Sequence, residues 1–379
     1  MSDASRFEAL AQPGVRRLKA YDPGHDLVAL RRRVSPGGAS AQLLIELGSN
    51  ENSHGPSPLA RQAVLDELAT LFRYPDPLGG DLKRALAKHH GIEPAQILLG
   101  NGSHELLMQL AQVFAGPDTD VVASRYGFAV YAIAAQAAGA ALRLAEALPR
   151  TATMPNGHDP DALEAAVTPA TRLMFFANPN NPTGTWFPTA RLEQLLRTVP
   201  EHVLVVVDEA YLEYADAPEL VSAIGLLSRH PNLIVTRTFS KAYGLAGLRI
   251  GYAVAHPGLI AVMERVRESF NVNGPGLAAA VAALGDRAHL AWVRDRNAEE
   301  RAWLASQLGQ RGYFVHPSQT NFLLVAFGPG TAALESALLA QGVVLRPMSG
   351  YGLADCLRIT VGTRSENQRL LQALDGVAR

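Results

Sequence analysis

Short apolar runs alternate with stretches of helical periodicity through the first two thirds of the chain. The runs lie at 97–99, 121–123, 173–176, 203–207, 233–235 and 250–254. Helical patterns stand between them, for example from Ser103 onward and over 128–138. A strand that is apolar at successive positions is buried on both faces, and strands that alternate with helices form a mostly parallel sheet. The pattern therefore predicts an α/β fold with helices on both sides of the sheet.

The pattern of apolar and polar residues changes from Gly276 onward. Alanine-rich helical patterns reach to about Gly312, with Trp292 and Trp303 expected in the core. Strand patterns follow at 322–327, 343–346 and 357–361, and helical patterns at 332–340 and 366–374. We interpret this region as a second, smaller α+β unit. The predicted organisation is an arm at 1–45 that belongs to the small domain, a large domain at 46–275 and the C-terminal small domain at 276–379.

Composition and charge narrow the classes of partner. With 48% apolar residues the 379-residue chain can bury a large core, and its formal net charge of −1 gives no basis for binding nucleic acid or an acidic membrane. The sequence predicts neither a signal peptide nor a membrane span. The one cysteine, Cys356, excludes an internal disulfide and is predicted to be a buried, unreactive thiol. We therefore expect a protein of the cytoplasm.

The stretch 238–251 places hydroxyl groups, a lysine, glycines and an arginine after a predicted buried strand. Ligand-binding loops of α/β sheets follow the carboxyl ends of strands, which makes Lys241 a candidate for imine formation. The chain has only four lysines, and Lys83 and Lys88 lie in an amphipathic helix whose charges we expect in solvent. Taken alone, the stretch is explained more simply by a loop lysine and a surface charge at Arg249.

Three further loops carry polar groups at predicted strand ends. The first, 100–105, joins a strand to a helix, so its N–H groups attract an anion, although Ser103 also suits a plain helix cap. The second, 178–184, contains two prolines and a glycine that restrict the loop and aim the amide of Asn181. The third begins with Asp208 at the end of a buried strand, where a carboxylate needs a partner. That partner is either structural or a protonated heterocyclic nitrogen, which Tyr211 would also reach.

In combination and order, these stretches resemble the pyridoxal 5′-phosphate (PLP)-dependent aminotransferases of the aspartate aminotransferase fold (fold type I), and among them the histidinol-phosphate aminotransferases. The resemblance covers nearly the whole chain, in the stretches 21–24, 50–52, 55–58, 73–76, 100–105, 178–184, 208–211, 240–241, 247–249 and 357–362. It implies a large domain with a mostly parallel seven-stranded sheet and a smaller α+β domain.

The resemblance also implies roles for individual residues. Lys241 would form the imine with the cofactor and move the substrate's proton, and Asp208 would keep the pyridine nitrogen protonated. Asn181 and Tyr211 would hydrogen-bond the 3′ oxygen of the ring, and Phe128 would stack on it. The phosphate would be held by Gly102, Ser103, His104, Ser240 and Arg249, joined by Tyr74 of the partner subunit. The implied assembly is a homodimer with shared active sites.

The implied substrates are anions. Arg358 would bind a carboxylate or phosphate, since its planar fork suits both. Arg346 and Tyr21 match positions that help to hold a substrate phosphate. The implied reaction transfers the amino group of histidinol phosphate to 2-oxoglutarate, giving imidazole acetol phosphate and glutamate, in histidine biosynthesis.

Several positions depart from the family's pattern, namely His25, Ser53, His104 and the segment 126–128. We expect Tyr126 and Phe128 to line the pocket and to favour an aromatic side chain. The main alternative is therefore an aromatic or broad-range amino-acid aminotransferase, followed by an amino-acid-phosphate decarboxylase or a PLP-binding regulator. The sequence offers neither a Gly-x-Gly-x-x-Gly turn after a strand for a nicotinamide cofactor nor a zinc-type spacing of Cys and His.

Overall fold

Two sheets of different size organise the fold, which a computed structural model describes for residues 7–20, 24–26, 29–30 and 44–377. The strands in these ranges are β1 (Ile45–Glu46), β2 (Ile97–Gly100), β3 (Asp120–Ser124), β4 (Ala141–Ala145), β5 (Thr171–Ala177), β6 (Leu204–Asp208), β7 (Leu233–Thr238), β8 (Gly251–Ala255), β9 (Phe314–Val315), β10 (Phe322–Ala326), β11 (Val343–Val344), β12 (Arg346–Pro347) and β13 (Cys356–Thr360).

The helices pack around these strands. The α-helices in the described ranges are α1 (Pro13–Arg16), α2 (Pro58–Glu67), α3 (Gly80–His90), α4 (Ser103–Phe114), α5 (Ala129–Ala137), α6 (Pro160–Ala165), α7 (Thr189–Thr198), α8 (Pro257–Met263), α9 (Gly274–Gly285), α10 (Arg287–Gln310), α11 (Thr331–Ala340) and α12 (Arg364–Val377). Short 3-10 helices lie at Leu68–Thr70, Pro94–Gln96, Leu212–Tyr214, Ala223–Leu226, Ala246–Leu248, Glu264–Val266 and Ser349–Tyr351.

The large sheet has, within the described residues, seven strands in the order β2-β8-β7-β6-β5-β3-β4. Strand β8 is antiparallel to both of its neighbours, and the other pairs are parallel. The prediction of an α/β fold with a mostly parallel sheet is confirmed. The edge strand β4 was not predicted, because its residues are mostly exposed and Arg143 interrupts the apolar pattern.

The large sheet is buried on both faces, as its unbroken apolar runs require. Val205 and Val207 of β6 pack into one hydrophobic cluster, and Leu204 and Val206 pack into the cluster on the opposite face. Side chains alternate between the faces of a strand, so each face needs its own apolar positions. The carboxyl ends of the parallel strands therefore meet at one edge, where polar loops begin.

The small sheet is antiparallel in the order β12-β13-β10-β9, and it has a separate hydrophobic cluster around Leu323 and Ile359. The short strands β1 and β11 pair beside it in parallel. Helix α9 lies with the large sheet, because Ala280 and Ala283 belong to the same cluster as Val205. The domain boundary at 275 and 276 stays a prediction.

Two expectations about side chains were wrong, and one is confirmed. Trp292 is not in the core but 47% exposed, because it lies on the outer face of α10 against the ring of His54. Lys83 does not lie in open solvent, because its Nζ donates to Glu264 Oε1 at a distance of 2.8 Å. Trp303 is half-buried against the small unit's core. Cys356 is buried as predicted, and burial raises the pKa of its thiol to about 12.

No helix within the described ranges is both long and apolar enough to cross a membrane.

Candidate active site

A cavity of about 260 Å³ lies at the carboxyl edge of the large sheet. It is lined by Ser49, Asn50, Ser103, His104, Phe128, Ala177, Asn181, Asp208, Ala210, Tyr211, Thr238, Ser240, Lys241, Arg249 and Arg358. Most of these residues follow or end parallel strands, so the topology brings together groups that are far apart in sequence. Arg358 comes from β13 of the small sheet, which forms the opposite wall.

Lys241 follows β7 and is half-buried in this cavity. Its Nζ donates to the carbonyl oxygens of Ser49 at 3.3 Å and Asn50 at 3.2 Å. Burial, reinforced by the positive charge of Arg358, lowers the pKa of Lys241 to about 8. A substantial fraction of its amine is therefore unprotonated near neutral pH and able to act as a nucleophile.

Asp208 is the last residue of β6 and is 4% exposed. Its Oδ2 accepts a hydrogen bond from Tyr131 Oη at 3.1 Å. The other oxygen, Oδ1, has no hydrogen-bond partner among the described residues. Desolvation raises the pKa of Asp208 to about 6. A buried carboxylate with an oxygen left over is costly unless a donor binds there, so the site is suited to a cationic N–H group.

Hydrogen bonds connect Arg358, on the small-sheet wall of the cavity, to residues on the opposite side. Asn181 Oδ1 accepts from Arg358 Nη1 at 2.6 Å, and Arg358 Nη2 donates to the carbonyl oxygen of Gly48 at 2.7 Å. Tyr211 Oη accepts from Asn50 Nδ2 at 3.0 Å. The buried guanidinium of Arg358 is thereby oriented by groups of the large unit, although it belongs to the small sheet.

Five residues form what we call the anion cradle: Gly102, Ser103, His104, Ser240 and Arg249. Gly102 caps α4 with a φ of 84°, and the first N–H groups of a helix lack intrahelical acceptors. Arg249 Nη1 donates to Ser240 Oγ at 3.3 Å. Burial and the nearby Arg249 lower the pKa of His104, which favours the neutral form of its ring. The cradle thus combines helix N–H groups, a hydroxyl and a guanidinium, which together suit a phosphate.

Comparison with known proteins decides the family. The model of the family aminotransferase class I and II matches residues 43–374. The chain belongs to this family. It is 46% identical to histidinol-phosphate aminotransferase 2 of Pseudomonas aeruginosa over 98% of this chain and 99% of that protein.

Solved structures support the same family. A histidinol-phosphate aminotransferase from Sinorhizobium meliloti in complex with pyridoxal-5′-phosphate is 32% identical, with a TM-score of 0.85 over 97% of each chain. A single mutant of Thermus thermophilus aspartate aminotransferase is 25% identical, with a TM-score of 0.82 over 97% of this chain and 99% of that chain. The predicted fold type and the predicted aminotransferase class are confirmed.

Most of the residues predicted for the site of this aminotransferase line the cavity; among the described residues, Gly102, Tyr74 and Arg346 do not. Tyr74 is 82% exposed and stacks on Phe270, with 4.5 Å between ring centroids. Arg346 lies half-buried in β12, where it pairs across the sheet with Arg358. Tyr21 lies outside the described residues.

The expectation that Tyr126 and Phe128 both line the pocket was wrong for Tyr126. Phe128 lines the cavity, whereas Tyr126 packs against the apolar cluster of Met348 and Leu353 in the small unit. The chain turns at Gly127, whose N–H donates to the carbonyl of Ser124, so the two aromatic side chains diverge.

Sequence reasoning missed several residues of the aminotransferase site. Tyr131, which donates to Asp208, was not assigned a role. A signal existed, since Tyr131 stands three residues after Phe128 and so shares its side of the helical turn. Ser49 and Asn50 also line the cavity. Asn50 lies in the matched stretch 50–52, but neither residue was assigned a role.

Proposed function

We propose that this chain is a PLP-dependent aminotransferase that transfers the amino group of histidinol phosphate to 2-oxoglutarate, giving imidazole acetol phosphate and glutamate in histidine biosynthesis. One observation carries the assignment: Lys241, Asp208 and four of the five residues of the anion cradle line one cavity. The similarity to the Pseudomonas aeruginosa histidinol-phosphate aminotransferase over nearly the full length of both proteins supports the amino donor.

The residues present fit PLP. Asp208 Oδ1 has no hydrogen-bond partner among the described residues and would accept from the protonated ring nitrogen. Above pH 6 the carboxylate is mostly charged and would stabilise that proton. The anion cradle would hold the phosphate, and Phe128 would cover the ring. Asn181 and Tyr211 would contact the 3′ oxygen.

The residues of the chain then have separate tasks. When bound, PLP supplies an electrophilic carbonyl group and a ring that accepts electrons. Lys241 Nζ supplies the amine that holds the cofactor and, once released, takes a proton from the substrate's Cα. Its pKa of about 8 suits both gain and loss of a proton near neutral pH. Asp208 holds the ring proton, and the half-buried walls limit the access of water.

Arg346 and Arg358 would bind the substrate's anionic groups. The two residues are Cα partners in the antiparallel pair of β12 and β13, so their side chains stand on the same face of the small sheet. Histidinol phosphate has a phosphate and no carboxylate, whereas 2-oxoglutarate has two carboxylates. A pair of arginines on one face of the small sheet is suited to binding either compound in turn.

An exposed apolar surface supports a homodimer with shared active sites. Around Tyr74 lie Leu71, Phe72, Leu78 and Phe270, with exposed fractions of 59%, 78%, 64% and 37%. Leu71, Tyr74 and Phe270 line an open pocket of about 880 Å³, and Phe72 and Leu78 are sequence neighbours of residues that line it. Isolated soluble chains rarely expose such a patch, and a second copy of the chain would cover it. In that dimer Tyr74 would reach the anion cradle of the neighbouring subunit.

Two measurements test the function. Borohydride reduction of the holoenzyme followed by peptide mapping should label Lys241, and a label on Lys83 or Lys88 would overturn the cofactor assignment. A panel of amino donors with 2-oxoglutarate should give the highest kcat/KM for histidinol phosphate. Faster turnover of phenylalanine or tyrosine would favour the aromatic alternative, and release of carbon dioxide would favour a decarboxylase.

A further inference from the structure

The loop that joins β12 to β13 connects the two arginines proposed to bind the substrate. This loop, residues 348–355, which we call the hairpin loop, is fastened at its base. Met348 N–H donates to the carbonyl oxygen of Cys356, and Leu353 N–H donates to the carbonyl oxygen of Met348, each at a distance of 3.2 Å. A displacement of the loop is therefore transmitted to the strands at its two ends, which carry Arg346 and Arg358.

The hairpin loop contacts the large unit at three points near the cavity. Arg150 Nη1 donates to Asp355 Oδ2 at 2.6 Å. The backbone N–H of Ala129, next to Phe128, donates to Tyr351 Oη at 3.3 Å. The side chain of Tyr126 packs in the apolar cluster of the loop. The only one of these three contacts that joins opposite charges is that of Arg150 with Asp355.

Asp355 is rigidly placed within the small unit. Its carbonyl oxygen accepts from the N–H of Phe327 at 2.8 Å, immediately after β10. Partial burial disfavours its charged form, but the hydrogen bonds from Arg150 and Cys356, together with the positive charge of Arg150, outweigh burial and lower the pKa of Asp355. Arg150 Nη2 also lies 3.8 Å from Cys356 Sγ. The guanidinium thus reaches the first residue of β13, two positions before Arg358.

We propose that Arg150 and Asp355 are positioning residues for the substrate's anionic group: their ion pair holds the hairpin loop against the large unit and so sets where Arg346 and Arg358 stand relative to Lys241. The inference rests on the proposed function in taking those two arginines as the anion-binding groups. The anion cradle lies at the start of α4 and on the loop that follows β7, away from the hairpin loop in sequence. We therefore expect the ion pair to govern substrate affinity and to leave cofactor affinity unchanged.

The test uses the holoenzyme with the single variants Arg150→Gln and Asp355→Asn. Each variant should raise the KM for the amino donor by about three- to fivefold, because a partly exposed ion pair contributes a modest free energy. The Kd of inorganic phosphate, measured by calorimetry, should rise by about the same factor. The kcat and the cofactor content should stay close to those of the unaltered enzyme. Arg125→Gln is the matched control, because Arg125 pairs with Glu146 inside the large unit and is 45% exposed, against 44% for Arg150.

A reversed pair separates positioning from a general loss of structure. The double variant Arg150→Asp with Asp355→Arg should recover most of the lost affinity. If it fails to fold, the double variant Arg150→Gln with Asp355→Asn takes its place. That variant should lose no more affinity than either single variant. Additive losses, or unchanged KM and Kd in the single variants, would overturn the proposal. Phosphate binding requires no turnover, so this result stands apart from failure of histidinol phosphate as the donor.

Discussion

Asp208 is the residue through which the chain is expected to control the electronics of its cofactor. Replacement by asparagine keeps the size of the side chain but removes the charge that stabilises a protonated ring nitrogen. We predict that Asp208→Asn lowers kcat by orders of magnitude while PLP remains bound, as measured by steady-state kinetics and absorbance. Asp120→Asn, a change at a buried carboxylate at the other end of the sheet, is the control. Near-normal turnover in Asp208→Asn would make Asp208 a structural carboxylate.

The amine of Lys241 should set the pH dependence of cofactor capture. In the apoprotein its pKa is lowered from 10.5 to about 8, so the reactive neutral amine becomes more abundant as pH rises through 8 and is nearly complete above 9. We predict that the rate of covalent PLP capture by apoprotein, followed by stopped-flow absorbance, rises with a midpoint near 8. A midpoint near 10 would indicate an ordinary solvated lysine. Lys241→Ala should show no covalent capture at any pH.

The start of helix α4 depends on the lack of a side chain at Gly102. A Cβ there would lie 2.6 Å from Arg249 Nη2, and the φ of 84° is one that other residues adopt only with strain. We predict that Gly102→Ala weakens PLP binding at least about tenfold, since a charge-assisted phosphate contact is worth roughly 1.5 to 3 kcal/mol. Gly116→Ala, just beyond the end of the same helix and with open space around it, should leave the affinity unchanged. Equal affinities in both variants would contradict the role of the cradle.

The pairing of β12 with β13 places Arg346 and Arg358 side by side, yet we expect different effects from their replacement. Arg358→Lys keeps the charge and loses the planar fork, so kcat/KM should fall at least about tenfold for both half-reactions. Arg346→Ala should lower kcat/KM for histidinol phosphate and spare unphosphorylated donors. Steady-state kinetics with both donor classes provides the measurement. Equal losses on the two classes would refute a phosphate-selective role for Arg346.

At the scale of the whole molecule, the exposed patch around Tyr74 predicts active sites completed by a second subunit. Hybrid dimers of Tyr74→Phe with Lys241→Ala subunits should regain activity, because one of their two sites has both residues intact. Hybrids of Asp208→Asn with Lys241→Ala serve as the control and should stay inactive, since both residues belong to one subunit's site. Mixing followed by separation of hybrids and an activity assay tests this. Verified hybrids that regain no activity would contradict shared sites.

The sequence by itself determined the architecture of the large sheet and the chemistry at its edge. Unbroken apolar runs are buried on both faces, which is why the strand ending in Asp208 was predictable from the run 203–207, whose side chains lie in clusters on the two faces. The loops that follow such strands meet at one edge, and the family resemblance assigned Asp208, Lys241 and Arg249 to one site there before any coordinates. Local rules also account for the cap of α2, where Ser57 Oγ accepts from Leu59 N–H at 3.1 Å and Pro58 follows in the first turn.

Tertiary structure alone decided the contacts between distant segments. Alanine-rich periodicity does not reveal which surface a helix covers, and only the structure placed Ala280 and Ala283 of α9 in the same hydrophobic cluster as Val205. Tyr126 points into the small unit although Phe128 faces the cavity, because the turn at Gly127 separates them. The pairing of Arg150 with Asp355 joins residues 205 positions apart. Sequence periodicity encodes burial within an element, whereas such pairings depend on how the elements pack in three dimensions.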